Sequence, residues 1–369
     1  MFVQRRPAPP VAAKTLISRR HLLAGASVAF AGLDGPGLRD IAPGSGVLYG
    51  AAVEARHVAT PEYAGLARAI ARECGILVPE GALKWRALRP APDRFDFQAG
   101  DTILTFASGH GQRVRGHTLV WHQALPDWFA AVAGPANAGS LLAKHIETVC
   151  GHYAGRLQAW DVVNEVVDPR APDGIRDTPW RRFLGTGYIA AAFRLARAAD
   201  PTAFLFINDY GMEPDTLVAR EKRRAMLGVL HRLLDAGAPV QGLGVQAHLV
   251  AGDRFAGFAD FLGQVRALGL RVAITELDVS DERLAGTPLA ARDAAVAATY
   301  ASFLHEALAV PALVHEILTW GLTDATSWLQ GYKPRPDRLP QRPLPLDSAL
   351  ARKPAWAAIR AALQTAATR

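Results

Sequence analysis

The chain of 369 residues has only two cysteines, Cys74 and Cys150. Their number and spacing exclude a CxxC metal or redox site. No apolar run approaches the roughly 18 residues that a membrane-spanning helix requires. The first strand-like segment, Gly50-Ala51-Ala52-Val53-Glu54, lacks the GxGxxG spacing of a dinucleotide-binding turn. HExxH pairs and Gly-x-Ser-x-Gly elbows are also missing, so neither a zinc-peptidase site nor that type of serine nucleophile is expected. The first 31 positions contain no acid, but they carry Arg5, Arg6, Lys14, Arg19 and Arg20. These five account for most of the formal net charge of +7 and leave about +2 on the rest of the chain. No basic stripe interleaved with aromatics remains, so nucleic acid is not an expected partner. The rest is ordinary soluble composition, half hydrophobic and a fifth charged.

The basic start resembles an export signal. Ser18-Arg19-Arg20-His21-Leu22-Leu23 is similar to the twin-arginine pattern of bacterial folded-protein export. An apolar stretch over 22–31 follows, too short for a stable membrane span, and Ala29-Phe30-Ala31 has the small residues of a cleavage site. A basic tail or a membrane anchor is the competing reading. The expected organisation is a signal over 1–31, a Gly-, Pro- and Asp-rich linker over 32–45, and one folded domain over 46–369. Periplasm and medium are equally compatible with such a signal. A protein exported after folding acquires its structure in the reducing cytoplasm. Cys74 and Cys150 are therefore expected as free, buried thiols at helix ends.

From about Gly46 a short apolar segment is followed repeatedly by a helical pattern. Strands are read at 47–53, 75–79, 114–120, 157–164, 204–208, 242–247, 272–277 and 315–320. Thr60-Pro61 supplies N-cap and N1 of the first helix, whose apolar spacing is Leu66, Ile70. Further helices are read at 102–110, 139–152, 189–199, 215–236, 255–268, 290–308 and 354–366. Strand-helix alternation predicts a parallel sheet, and eight units predict a single α/β domain closed as a (β/α)8 TIM barrel. An open doubly wound sheet is the alternative, and it would usually carry the missing glycine-rich turn. The Pro-rich run over 332–345 reads as a long ordered loop, because Trp356 and the last helix follow it.

Barrel sites form at the C-terminal ends of strands. At those ends lie Glu80 and Lys84-Trp85, then His117, Trp121 and His122, then Asn164-Glu165. Asn208-Asp209-Tyr210, Gln246 and His248, Glu276 and Asp278, and Trp320 with Trp328 complete the set. A Glu closing a buried strand needs a use for its charge. Two of them, Glu165 and Glu276, face a common cleft in this reading. Glycoside hydrolysis needs such a pair: one carboxyl protonates the leaving oxygen, and the other attacks the anomeric carbon or activates water. No metal set accompanies them, since His117 and His122 stand five residues apart without a carboxylate cluster.

The ensemble resembles glycoside hydrolase family 10, the endo-β-1,4-xylanases. The motifs are His117-Thr118-Leu119-Val120-Trp121-His122 with Leu125-Pro126 and Trp128, Trp160-Asp161-Val162-Val163-Asn164-Glu165, and Ile207-Asn208-Asp209-Tyr210. Gly244-Val245-Gln246-Ala247-His248-Leu249, Thr275-Glu276-Leu277-Asp278, and Trp320-Gly321 with Ser327-Trp328 continue the series, from about residue 47 to 360. The resemblance implies a retaining enzyme without a cofactor or added carbohydrate-binding domain, monomeric, acting on xylan. It makes Glu165 the acid/base and Glu276 the nucleophile, with the Glu276 charge raising the pKa of Glu165. His248 is implied as partner of Glu276, with Asp278 holding its tautomer, and Asn164 as the group that binds the sugar 2-hydroxyl. Glu80, Lys84, His117, Trp121, Tyr210, Gln246, Trp320 and Trp328 are implied sugar contacts. Asn208 and Asp209 are expected to shape the strand-five loop or support from behind, and His122 to orient Trp121. Trp85, Trp128, Trp160 and Trp180 are left to the core.

Three positions depart from the family pattern: Gly81 where Asn is usual, Ala124 where Gln is usual, and Leu329 where Arg is frequent. Each missing sugar hydrogen bond is worth on the order of 1 kcal/mol. The rival readings are an enzyme for another β-1,4-glycan or short oligosaccharides, a non-catalytic xylan-binding protein, and a metal-dependent sugar isomerase.

Overall fold

The computed structural model describes residues 35–368. The expected twin-arginine signal over 1–31 lies outside them.

Among the described residues nine strands are all parallel: β1 (Leu48–Val53), β2 (Ile76–Pro79), β3 (Arg113–Val120), β4 (Ala159–Asn164), β5 (Phe204–Asp209), β6 (Gly242–Val245), β7 (His248–Val250), β8 (Arg271–Ser280) and β9 (Val314–Thr319). Neighbours run from β1 to β6, then β8, β9 and back to β1, which closes an eight-stranded barrel. Eight long helices alternate with the ring: Ala64–Glu73, Gln98–Gly109, Ala138–Tyr153, Tyr188–Ala199, Leu217–Asp235, Phe258–Ala267, Leu289–Ala307 and Pro354–Ala366. The expected (β/α)8 barrel is therefore present. Among the described residues no helix is long and apolar enough to cross a membrane.

Successive residues along the strands divide the core between two sides. Tyr49, Ala51, Val53, Leu77, Leu205, Ile207, Leu243 and Ile274 pack outward with the helices. Ala52, Ile76, Val78, Leu318 and Trp320 form one inner cluster, and Ala159, Phe206 and Ala273 another. Each buried Val, Leu or Ile contributes about 1.5–3 kcal/mol relative to exposure, so this layer carries the fold. The interior also holds Arg115, fully buried, paired with Asp161 and with Glu316 at 2.8 Å. Such a group specifies an arrangement more than it adds stability.

Two expectations are corrected. The segment read as linker is built into the domain from Leu38 onward. Leu38–Ile41 and Ala42–Ser45 are short helical turns, Leu38 is in the main core, and its N–H donates to buried Glu73 at 2.9 Å. The Gly and Pro residues that suggested a linker flank the apolar anchors Leu38 and Ala42, with Ile41 packed beside them. Second, the strand read over 242–247 stops at Val245. Ala247 takes a left-handed φ of 63°, and pairing resumes at His248 as β7, which lies on the far end of β8. Cys74 and Cys150 are free and buried near helix ends. The 332–345 loop is ordered around buried Arg335, Gln341 and Leu344.

Candidate active site

A cleft of about 470 Å³ opens at the C-terminal ends of the strands. All thirteen residues expected there line it: Glu80, Lys84, His117, Trp121, Asn164, Glu165, Tyr210, Gln246, His248, Glu276, Asp278, Trp320 and Trp328. The left-out tryptophans Trp85, Trp160 and Trp180 are buried, and Trp128 packs against them from a half-buried position.

Local backbone irregularities deliver the key side chains. Strict alternation from Asp161 would turn Val163 inward. The β4–β5 register shifts between these two residues, and it is Asn164 whose side chain reaches the cleft. Glu165 follows with a left-handed φ of 59°, costly for any residue but glycine. On the opposite wall, β8 runs through Ser280, so Glu276 and Asp278 share one strand face, and His248 sits in register with Asp278. The Ala247 turn before it is held by the carboxylate of buried Glu213, which accepts the Ala247 N–H at 2.9 Å.

The two glutamates are joined by amides. Asn208 Nδ2 donates to Glu276 Oε1 at 2.8 Å and to Asn164 Oδ1 at 3.0 Å. Gln246 Nε2 donates to Asn164 Oδ1 at 3.2 Å and to Glu165 Oε1 at 3.4 Å. The Asn164 carbonyl thus receives two donors, which leaves its own amide N–H groups for a ligand. Asn208 is locked in turn by the Thr275 hydroxyl at 2.7 Å, and a Cβ at Gly244 would collide with its Oδ1. Asn208 therefore supports Glu276 directly. Asp209 shapes the loop as expected: it accepts the Val167 N–H at 2.9 Å and pairs with Lys222 at 2.7 Å.

Electrostatics separate the pair. Burial raises the Glu165 pKa, and the Asp209 charge adds to this ahead of the Glu276 charge. The expected upward push from the Glu276 charge is present, with burial and Asp209 added to it. The Trp121 side chain and Gln246 pull the other way, although the Trp121 indole N–H is not aligned as a hydrogen bond. For Glu276 burial also acts upward, but His117 and His248 outweigh it and its pKa is lowered. His248 Nε2 lies 3.3 Å from Glu276 Oε2 and Nδ1 lies 3.0 Å from Asp278 Oδ1. Burial opposes its charge, but the two carboxylates push its pKa up to about 10. Asp278 thus holds the ring at Nδ1, as expected, and together with Glu276 favours its charged form.

Below Glu276, His117 Nδ1 contacts Asp161 at 3.0 Å, which links the site to the Arg115 ion group. Lys84 Nζ stands 4.7 Å from the Trp121 ring and 5.5 Å from Trp320. Burial lowers the Lys84 pKa, and burial with the Glu54 charge raises Glu80 to about 7. Trp328 donates its indole N–H to Asp278 at 2.7 Å and stacks on exposed Tyr332 at 4.5 Å. His122 meets Trp121 edge to face at 6.4 Å. Among the described residues no three His, Cys, Asp or Glu side chains are grouped to hold a metal ion.

Sequence reasoning missed Glu213, Arg176 and Tyr332. None of them ends a strand, which was the signal used to find the others.

A closed parallel barrel with two unlike carboxyls and flat indole faces at its mouth has the construction of a carbohydrate-cleaving enzyme. The sequence profile of glycosyl hydrolase family 10 matches residues 37–362. An endo-1,4-β-xylanase 5 of Pyricularia oryzae is 35% identical over 297 residues, 79% of this chain and 71% of that protein. Native xylanase 10B from Thermotoga maritima superposes with a TM-score of 0.83 at 31% identity, covering 90% of this chain and 99% of that one. Xylanase 10B from Thermotoga petrophila, solved with xylobiose, gives 0.83 at 30% identity, covering 90% and 98%. The chain belongs to glycosyl hydrolase family 10.

Proposed function

We propose that the protein is a retaining endo-β-1,4-xylanase. Glu276 attacks the anomeric carbon while Glu165 gives its proton to the departing glycosidic oxygen. The C1–O bond breaks, a glycosyl ester forms on Glu276, and the sugar on the reducing-end side leaves as an alcohol. Water then attacks C1, Glu165 takes its proton, and the ester opens with net retention. The observation that carries this reading is the opposite displacement of the two carboxyls: Glu165 raised, Glu276 lowered, within one amide network. An acid must hold its proton and a nucleophile must not.

Asn164, with its carbonyl already occupied, donates to the 2-hydroxyl at the cleavage point. Lys84, His117 and Glu80 hydrogen-bond sugars on the non-reducing side. Trp121, Trp320 and Trp328 offer ring faces, and Tyr210 and Gln246 line the opposite side. Gln123 lines the cleft, whereas Ala124 is buried with its carbonyl on the Arg86 N–H. Gln123 therefore offers the cleft an amide in place of the one missing at Ala124. The substrate is xylan or xylo-oligosaccharide, and the protein acts as a monomer. Export by the twin-arginine route is proposed from residues 1–31. Replacing Arg19 and Arg20 by Lys should strand the protein in the cytoplasm, and unchanged export would exclude the route.

Incubation with a 2-fluoro-xylobioside carrying a good leaving group tests the mechanism. The expected product is a covalent adduct on the peptide containing Glu276, and an adduct elsewhere would overturn the assignment. A second reading, activity on other β-1,4-glycans, draws on Gly81, where an added Cβ would meet nothing within 4 Å. Rates on cello-oligomers that match those on xylo-oligomers would favour it.

A further inference from the structure

Glu165 is held in a backbone conformation that does not favour it, and a residue outside the expected site does much of the holding. A left-handed φ costs a side-chain-bearing residue about 1–2 kcal/mol, so it persists only where the surroundings over-determine it. On one side of Glu165, its N–H donates to the Asn208 carbonyl at 2.8 Å. On the other, its carbonyl accepts from Arg176 Nε at 2.8 Å.

Arg176 returns to this point because the chain after β4 folds back on itself. Val167 and Ile175 form an antiparallel bridge, and the Arg176 N–H donates to the Val166 carbonyl. Arg176 Nη2 then reaches the Val167 carbonyl at 3.2 Å and the Tyr210 hydroxyl at 2.9 Å. One residue therefore contacts Glu165, Val166 and Val167 in succession and ties them to a cleft aromatic. A planar guanidinium with several fixed donors suits this task, and a point-charge ammonium does not. The half-buried Arg176 lies outside the cleft lining, and its contacts with Glu165 are with backbone, so it does not meet substrate or the reacting carboxyl.

We infer that Arg176 is a positioning residue that fixes the left-handed turn at Glu165 and so aims the acid/base carboxyl at the glycosidic oxygen. This rests on the reading of Glu165 as the acid. Without Arg176 the turn relaxes toward ordinary φ, and the carboxyl swings off the leaving oxygen. Bond cleavage then loses proton donation but keeps the nucleophile.

Leaving-group dependence separates this role from a general structural one. Xylohexaose expels a poor sugar alkoxide and needs the acid, whereas dinitrophenyl β-xylobioside expels a stable phenolate and does not. For Arg176→Met, kcat/KM on xylohexaose should fall roughly 10–100-fold, while that on the dinitrophenyl substrate should change less than about 3-fold. Arg176→Lys, the milder variant should Met prevent folding, should show the same imbalance at smaller size. Equal losses on both substrates, or no loss on xylohexaose, would overturn the inference. Glu165→Ala serves as reference. If it shows the imbalance and Arg176→Met does not, the inference alone fails. If Glu165→Ala lacks it, the acid assignment fails and takes the inference with it.

Discussion

Asp278→Asn should convert a permanently charged His248 into one that titrates near neutrality. Asp278 is the largest force raising His248, which reaches about 10 against an ordinary 6.5. At pH 8 about 1% of such a histidine is neutral. Without the Asp278 charge, burial regains weight and leaves Glu276 as the main support, so the pKa falls back toward its ordinary range. Glu276 then loses its imidazolium partner at 3.3 Å. An ion pair at that distance is worth about 2–4 kcal/mol in a partly wet site, and Asn208 retains part of the support. The expected cost is therefore roughly 10²-fold in kcat/KM at pH 8. The defect should shrink toward pH 5.5, where His248 is protonated again. The variant-to-parent ratio of kcat/KM on an aryl xylobioside, taken at each pH, cancels the titration of Glu165, which both proteins share. Ring-nitrogen NMR of His248 reads the charge directly. A ratio that is flat with pH, or a parent His248 that titrates near 6.5, would refute the reasoning.

Three further outcomes follow from the same geometry. Asn208→Ala removes the amide donor to Glu276 and leaves the Thr275 hydroxyl without its acceptor, so kcat should fall roughly 10–100-fold while KM moves little. Glu80, raised to about 7 from an ordinary 4.5, binds its proton more tightly in the folded state, so it costs stability as pH rises from 4.5 through 7. Glu80→Gln should accordingly raise the unfolding free energy at pH 8 by about 1–3 kcal/mol and leave it nearly unchanged at pH 4.5, as urea unfolding would show. Glu73→Ala strips buried partners from the Leu38 N–H, the Trp356 indole and Arg352, and should destabilise the fold by about 3–5 kcal/mol in urea unfolding.

Much of this site was legible because its residues obey simple rules. Short apolar runs located the ring strands, and a carboxyl or amide at the tip of a buried strand marked the cleft. Both rules act within a few residues. What escaped them acts at longer range or in the backbone. The register shift between Asp161 and Val163 has no composition of its own, yet it brings Asn164 to the cleft. A strand of three residues, His248–Val250, is too short for periodicity to show, and it exists because β8 extends far enough to pair with it. Leu38 sits in a Gly- and Pro-rich stretch where one apolar residue carries no pattern, and only its Glu73 and core contacts reveal its role. The Glu276 charge was a foreseeable cause of the Glu165 shift, but Asp209 was not, because this neighbour in space lies 44 positions away in sequence. Arg176 was one charge among several in a polar loop until the hairpin returned it to Glu165.

The central claim is that Glu165 and Glu276 cleave an internal xylosidic bond with retention. A proton NMR time course on xylohexaose tests it most directly. The account predicts internal cleavage with the β-anomer of the new reducing end appearing first and mutarotating afterwards. An initial α-anomer would mean direct attack by water and would remove the nucleophile role from Glu276. Release of single xylose units from a chain end would contradict the endo assignment.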